Sequence, residues 1–309
     1  MKKLAVILTL ALASVAAQAQ SQVTVYGRMN AYAVDQTTGG VAAGTTMSSE
    51  SSRIGIRAVE NLGAGLQARV TVETSVSNTA PDAGSDTKLG NRTSLVGLGT
   101  KNGSLDVGRD YHSYFLLLKD ADPFWGRTLG SVGQDVHSFR DKRLSNTVFF
   151  KAEPVQGIKL ALDRQLTNST TGAGLAEAVT GSVQVNTGIL TLGAGRFQQG
   201  DNVSTALVAR AALGTGYVSV SQARDTTVVG AVRTEINGTS LSAEQLVPGT
   251  RVTAKASVGR TDSGMQSYAV GADYGFSKTV IGRVMYRNAD HDVNSKDVRQ
   301  VVAGLEYKF

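Results

Sequence analysis

The chain has no cysteine, only four prolines among 309 residues, aromatic residues at 6%, and a single tryptophan, Trp125. Each scarcity excludes something. Without cysteine, disulfide staples and thiolate-held metal clusters are ruled out, so stability has to come from a large hydrogen-bonded framework. Proline interrupts a β-ladder, and its near absence beside 35 glycines suits a chain built mainly of strands. Beyond the first residues no run approaches the ~18 consecutive apolar residues of a membrane-spanning helix. The net charge of +6 includes Lys2 and Lys3 at the start, and so small and dispersed an excess does not point to nucleic acid.

That start stands apart from the rest. Two lysines, an apolar run from Leu4 to Ala17 and the small-x-small ending Ala17-Gln18-Ala19 read as a cleaved secretory signal over residues 1–19. As a membrane anchor the run would be short of the ~20 residues a helix needs. No internal repeat divides the remainder of the chain, so residues 20–309 are expected to form one unit.

That unit is rich in alternation. Val23, Val25 and Gly27 share one face while Thr24, Tyr26 and Arg28 share the other. The same holds for Ile54 and Ile56 against Arg53 and Arg57, for Val70 and Val72 against Arg69 and Glu73, and again through Val252–Val258, Tyr268–Phe276, Val280–Tyr286 and Val301–Phe309. A period of two marks a strand with one oily and one wet face. The wet faces carry full charges, which a packed core does not tolerate. No helical pattern supplies a cover for the oily faces, so lipid is the expected one.

Turns alternate in length along the chain. Short glycine-rich turns such as Asn61 to Gly65, Lys101-Asn102-Gly103, Glu153 to Gly157, Gly214-Thr215 and Pro248-Gly249 alternate with longer connections over 35–50, 78–91, 112–143, 168–175, 225–237 and 289–296. Short on one side and long on the other is the layout of an outer-membrane barrel. The pattern predicts an all-β fold, a transmembrane antiparallel β-barrel of about sixteen strands, or about eighteen residues per strand and connection. Residues 92–111 look apolar on both faces and are expected at a subunit contact.

Several motifs also resemble a known family. Ser52-Arg53-Ile54-Gly55-Ile56, then Glu60-Asn61-Leu62-Gly63-Ala64-Gly65-Leu66-Gln67-Ala68, Val96-Gly97-Leu98-Gly99, Val107-Gly108-Arg109 and the ending Glu306-Tyr307-Lys308-Phe309 resemble the general-diffusion porins of β-proteobacteria, the neisserial and Burkholderia-type group. The resemblance runs over the whole mature chain. It implies a homotrimer of water-filled barrels in the outer membrane, each narrowed by an inward-folded third loop, here residues 112–143. It also implies a constriction in which Arg53, Arg92, Arg109 and Arg143 on the wall face loop acids among Asp120, Asp122, Asp135 and Asp141. The aromatic terminus Phe309 would be the signal read by the outer-membrane assembly machinery.

A wide pore selects by width and by the field at its narrowest point. Arginine suits the wall because it stays charged at any relevant pH and remains hydrated while stacking. The lumen wall is expected to carry Arg28, Arg57, Arg69 and Glu73. Across all polar faces the bases, including Arg251, Lys255, Arg283 and Arg287, outnumber Glu73, Asp163, Asp273 and Glu306. The expected function is passive diffusion of small hydrophilic solutes and ions, with a mild anion preference and no cofactor. A solute-specific channel is the alternative. An enzyme is disfavoured, because the three histidines (His112, His137, His291) fall in connections without an activating motif. Gly97-Leu98-Gly99 has the wrong spacing and context for a dinucleotide loop, and Asn168-Ser169-Thr170 would matter only in a eukaryotic secretory route.

Overall fold

A computed structural model describes residues 22–79, 88–124, 129–138, 142–166, 177–291 and 296–309. The secretory signal, Trp125, Asp141 and the Asn168-Ser169-Thr170 site lie outside them. Among the described residues seventeen strands form a single antiparallel sheet. They are β1 (Gln22–Thr38), β2 (Val41–Ser48), β3 (Arg53–Gly63), β4 (Leu66–Ser75), β5 (Thr93–Thr100), β6 (Gly103–Tyr111), β7 (Arg143–Val155), β8 (Ile158–Gln165) and β9 (Ala178–Asn186). β10 (Leu190–Gln199), β11 (Asn202–Leu213), β12 (Gly216–Val229), β13 (Val232–Leu246), β14 (Val252–Thr261), β15 (Gln266–Gly275), β16 (Val280–Asp290) and β17 (Val298–Lys308) complete it. Between β6 and β7 stand two short helices, α1 (Ser113–Lys119) and α2 (Gly133–Val136).

The sheet closes where β1 pairs with β17 from Arg28↔Lys308 to Thr38↔Val298. On its other edge β1 pairs with β3 through Gln22–Arg28 and with β2 through Tyr32–Thr38. β2 and β3 therefore lie end to end as one interrupted strand, and the wall counts sixteen staves. At the interruption Ser51 takes a left-handed φ of 61°. The exposed backbone is caught from inside: Arg28 Nε donates to the Ser51 carbonyl at 3.0 Å and Asn30 Nδ2 to that of Glu50 at 2.5 Å.

Closure leaves no free sheet edge around the wall, which is what a strand protein needs where no water can satisfy N–H and C=O groups. Side chains sort as the alternation predicts. Val96, Leu98, Leu105 and Val107 stand exposed on the outside while Asp106, between the last two, is 3% exposed on the inside. Val23, Ile56, Leu162, Leu207, Leu241, Val270, Val301 and Leu305 continue this exposed apolar belt round the barrel. Such a belt on a barrel exterior is a lipid-facing surface.

Two expected long connections are instead strand. Residues 35–50 and 225–237 fold as hairpins whose ladders run up to tight turns at Gly39-Gly40 and Gly230-Ala231. Their Thr- and Val-rich sequences are good strand formers despite their polarity. In the second hairpin Glu235 ties Arg224 and Arg233 together, so charge that looks like loop solvation is ladder stabilisation.

Candidate functional site

The segment between β6 and β7 does not leave the barrel; it runs along the inner wall. His112 caps α1, its Nδ1 accepting from Phe115 N at 3.2 Å. Tyr114, Phe115, Leu117 and Leu118 of the helix then bury against Ala178, Phe197, Ala206 and Val208 of β9–β11. Gly193 and Gly195 leave room for the helix there, for a Cβ on either would meet the terminal methyls of Leu117. Backbone and hydroxyl bonds fix the docking: Ser113 N donates to Asp163 Oδ2 at 2.6 Å and Ser219 Oγ to the Ala121 carbonyl at 2.5 Å.

A second anchor lies further along the segment. Phe124, Leu129, Val132 and Val136 pack against Tyr32, Val34, Ala269, Met285 and Val302 on β1 and β15–β17. Asp135 grips Arg287, with Nε to Oδ2 at 2.9 Å and Nη2 to Oδ1 closer still. His137 Nε2 lies 2.8 Å from Ser221 Oγ and 3.3 Å from Ser240 Oγ, and Ser138 N donates to Asp225 Oδ2 at 3.0 Å. The far reach of the segment meets the strand interruption, where Leu129 N donates to Glu50 Oε1 at 3.3 Å. The loop thus covers the inner wall of β8–β16 and leaves that of β3–β7 bare.

Over the bare wall lies a cavity of about 970 Å³. Nine basic side chains line it (Arg28, Arg53, Arg57, Arg69, Arg92, Lys119, Lys142, Arg143 and Lys151) against four acidic ones (Glu50, Glu73, Asp106 and Asp110). Glu73 serves two guanidinium groups at once, Arg92 at 2.7 Å and Arg53 at 3.0 Å. Asp106 takes Arg69, with Nε to Oδ1 at 2.7 Å. Arg143 lies 3.7 Å over the Tyr111 ring, which stacks in turn on Phe115 of α1 at 4.8 Å, and its Nε and Nη2 have no protein hydrogen-bond partner. Lys142, just before β7, has its pKa lowered by burial. A second cavity of about 1070 Å³ shares Tyr26, Arg28 and Arg53 with the first, so the two are successive parts of one passage. In it Asp273 pairs Lys255 at 2.7 Å and Arg283 at 2.6 Å.

A family model described as Gram-negative porin matches residues 5–309. The chain belongs to this family. No curated protein sequence matches it significantly. Among solved structures, the fold is similar to an anion-selective porin from Comamonas acidovorans, with TM-score 0.79 and 21% identity over 94% of this chain and 100% of that one. It is similar also to Salmonella typhi OmpF in complex with daunomycin, with TM-score 0.71 and 16% identity over 93% and 97%. The trimer form of Vibrio cholerae OmpT matches with TM-score 0.70 and 15% identity over 94% and 99%. The porin is therefore a multi-pass barrel of the outer membrane and a diffusion channel.

The porin brings Arg28, Arg53, Arg57, Arg69, Glu73, Arg92 and Arg143 to one cavity. It does not bring Arg109, Asp120 and Asp122 there. Opposite a bulge in β7, where Asn146 takes a φ of 54°, Arg109 bonds the Asn91 carbonyl at 2.8 Å and Ser145 Oγ at 2.6 Å. Asp122 turns back into its own loop, accepting from Phe124 N at 2.8 Å and Ser131 Oγ at 2.5 Å. Asp120 pairs with Lys119 at 3.1 Å and lines a separate space of about 380 Å³ near Arg69 and Lys151. Phe309 exchanges backbone hydrogen bonds with Gly27 at 2.9 and 3.2 Å, and its ring covers the space a Cβ on Gly27 would take. Strand β5 is less uniform than its sequence suggests, for Leu95 points to the passage while Val96 and Leu98 face outward. Glu50, Asp106, Asp110, Lys119, Lys142 and Lys151 are not among the residues expected at the site. Lys151 and Asp106 reach it by strand parity, whereas nothing in the spacing of Lys119, Lys142 and Glu50 reveals that a docked loop and a strand interruption bring them to it.

Proposed function

We propose that this porin passes small hydrophilic solutes with a mild preference for anions, and that the bare wall of β3–β7 sets the preference. The observation that carries this is the surplus of basic groups in the passage, nine against four. Protein of low dielectric surrounds the charges, so their field is focused on the solute path. Arg57, above Tyr26, and Arg143, above Tyr111, present guanidinium groups held by aromatic rings instead of carboxylates, so their charge is not cancelled locally. The similarity to a porin described as anion-selective agrees with this reading.

The experiment is a reversal potential of purified porin in planar bilayers under a potassium chloride gradient. A sign showing chloride favoured over potassium is expected; equal permeability or cation preference would overturn it. We infer a homotrimer as well, in keeping with the OmpT trimer form, and three equal current steps per insertion would support it. Phe309, just past the end of the closing β17 on the short-turn side of the barrel, is proposed as the mark read by the assembly machinery, and Phe309→Ala is expected to lower the amount inserted in the outer membrane without changing single-channel conductance. A hydrolytic role is disfavoured because His112 and His137 are both spent on anchoring the loop.

A further inference from the structure

Helix α1 buries one face and holds another over open space. Tyr114, Leu117 and Leu118 pack on β9–β11, whereas Ser113, Leu116 and the C-capping Asp120, at i, i+3 and i+7, share a side and line the separate chamber of about 380 Å³. Docking of the helix does not account for Leu116, an apolar side chain turned away from the face that packs. The chamber branches from the first cavity, with which it shares Arg69, Ser104 and Lys151, and reaches the short-turn end at Lys101-Asn102-Gly103.

Its floor is the inner face of β6–β9 at that end. Lys151 stands in register with Ser104 on one side and Ala161 on the other, and Lys159, two residues before Ala161 on the same face, stands opposite Gln184. The Cα atoms of Lys151 and Lys159 are thus about 8 Å apart, one strand spacing across and two residues along. Ser104, Ala161 and Ser182 between and beside them are small, which leaves the space open. The charges are sorted. Arg69 is matched by Asp106, and Glu153 is spent on its own hairpin, Oε1 accepting from Gly157 N at 2.9 Å. Among the described residues Lys101, Lys151 and Lys159 form no ion pair, so three ammonium groups stand unspent on the floor. On the roof Asp120 gives one oxygen to Lys119 at 3.1 Å and keeps its side chain 58% exposed.

Bases below, an acid above and an apolar side chain between them complement a small molecule that carries carboxylates, an ammonium and a short methylene stem. We propose that the chamber binds an acidic amino acid, its two carboxylates on Lys151 and Lys159, its ammonium on Asp120, and its stem against Leu116. The carboxylates of glutamate, three carbons apart, fall within reach of two lysine stems rooted about 8 Å from each other. A solute held there lies beside the main route and does not plug it, so the chamber is a saturable store at the edge of a diffusion path. The site needs the docked loop but not the ion preference, so the two readings can fail separately.

The test is a ligand-observed NMR titration of the intact porin, folded in detergent, with L-glutamate, with glutarate, which lacks the ammonium, and with L-glutamine, which lacks the second carboxylate. Saturable binding of glutamate is expected, with glutarate and glutamine each about fivefold weaker. Lys159→Gln is expected to weaken glutamate about tenfold, and Asp120→Asn to bring glutamate down to the affinity of glutarate. Heat-modifiable migration certifies that the variants fold. Absence of saturable glutamate binding by the wild-type porin would overturn the proposal without recourse to any variant. Equal affinity for glutarate and glutamate would remove the ammonium from the site and the amino acid with it, and undiminished glutamate binding by folded Lys159→Gln would place the solute elsewhere in the passage and sink the chamber.

Discussion

The two halves of the inner wall have the same backbone and opposite chemistry. Where the loop docks, on β9–β15, most of the buried inward polar positions are small and neutral, among them Thr180, Ser204, Ser219, Ser221, Ser240, Ser257 and Ser267. Where nothing docks, on β3–β7, they are Arg53, Arg57, Arg69, Glu73, Asp106 and Lys151. A hydroxyl can satisfy a loop carbonyl or imidazole at little desolvation cost, whereas covering a charge is expensive unless its partner comes with it. The wall that will be dry therefore carries hydroxyls, and the wall that stays wet carries ions. The charges that the loop covers obey the same rule, since Arg287 meets Asp135 and Asp225 accepts from Ser138 N of the docking loop.

The comparison is broken most severely by removing that partner. Asp135→Ala leaves the Arg287 guanidinium covered by the loop without its carboxylate and is expected to cost about 4 kcal/mol of loop docking. Unfolding in urea at lower concentration, together with larger and noisier single-channel current, is the readout. A normal trace from the folded variant would show that the loop is held elsewhere.

Acid should loosen the same half through His137, which burial holds at about 4 against an ordinary 6.5. The undocked imidazole takes a proton near 6.5 and the docked one only near 4, so protons bind the undocked state more readily between these values. The contribution is whole above pH about 6.5 and is lost progressively as pH falls to about 4, at most about 3 kcal/mol in all. Current fluctuations that rise over this window in the wild type and not in His137→Gln are expected. Next in size is Gly238→Ala, whose added Cβ would overlap the Val136 carbonyl, for a loss of about 2 kcal/mol in thermal or urea melts.

Most of the fold was legible because a barrel writes its two faces directly into the chain. Alternations such as Ile54-Gly55-Ile56-Arg57 need no partner to be read, and register follows once the short turns are seen. Polar hairpins were harder, since Thr226-Thr227-Val228 reads as solvated loop until Glu235 across the ladder is known. The site was legible by half. Bases on the wall announce themselves by parity, and Arg53, Arg57, Arg69 and Glu73 share a cavity for that reason. Partnerships made by the loop do not, because Asp135 and Arg287 lie 152 residues apart and nothing local distinguishes Asp135, which bonds the wall, from Asp122, which folds back on Ser131. A one-residue bulge is as opaque, and it is what separates Arg109 from Arg143.

The smallest effect sharpens the comparison on its wet side, where stability is untouched and only selectivity moves. Arg57 is exposed to the passage and rests on Tyr26 at 5.5 Å, so Arg57→Gln removes one uncancelled charge and is expected to lower the chloride-to-potassium permeability ratio by about twofold. Glu73→Gln acts in the opposite sense, since it strips the carboxylate shared by Arg53 and Arg92 and should raise the ratio by a similar factor. Arg109→Gln, whose side chain is engaged by Asn91 and Ser145 away from the cavity, should leave the ratio where it is. The three belong together in dilute salt, where a Debye length of about 30 Å leaves the fixed charges unscreened. Should Arg109→Gln shift the ratio as far as Arg57→Gln, net charge anywhere on the barrel would be setting the selectivity, and the bare wall would lose its claim to be the filter.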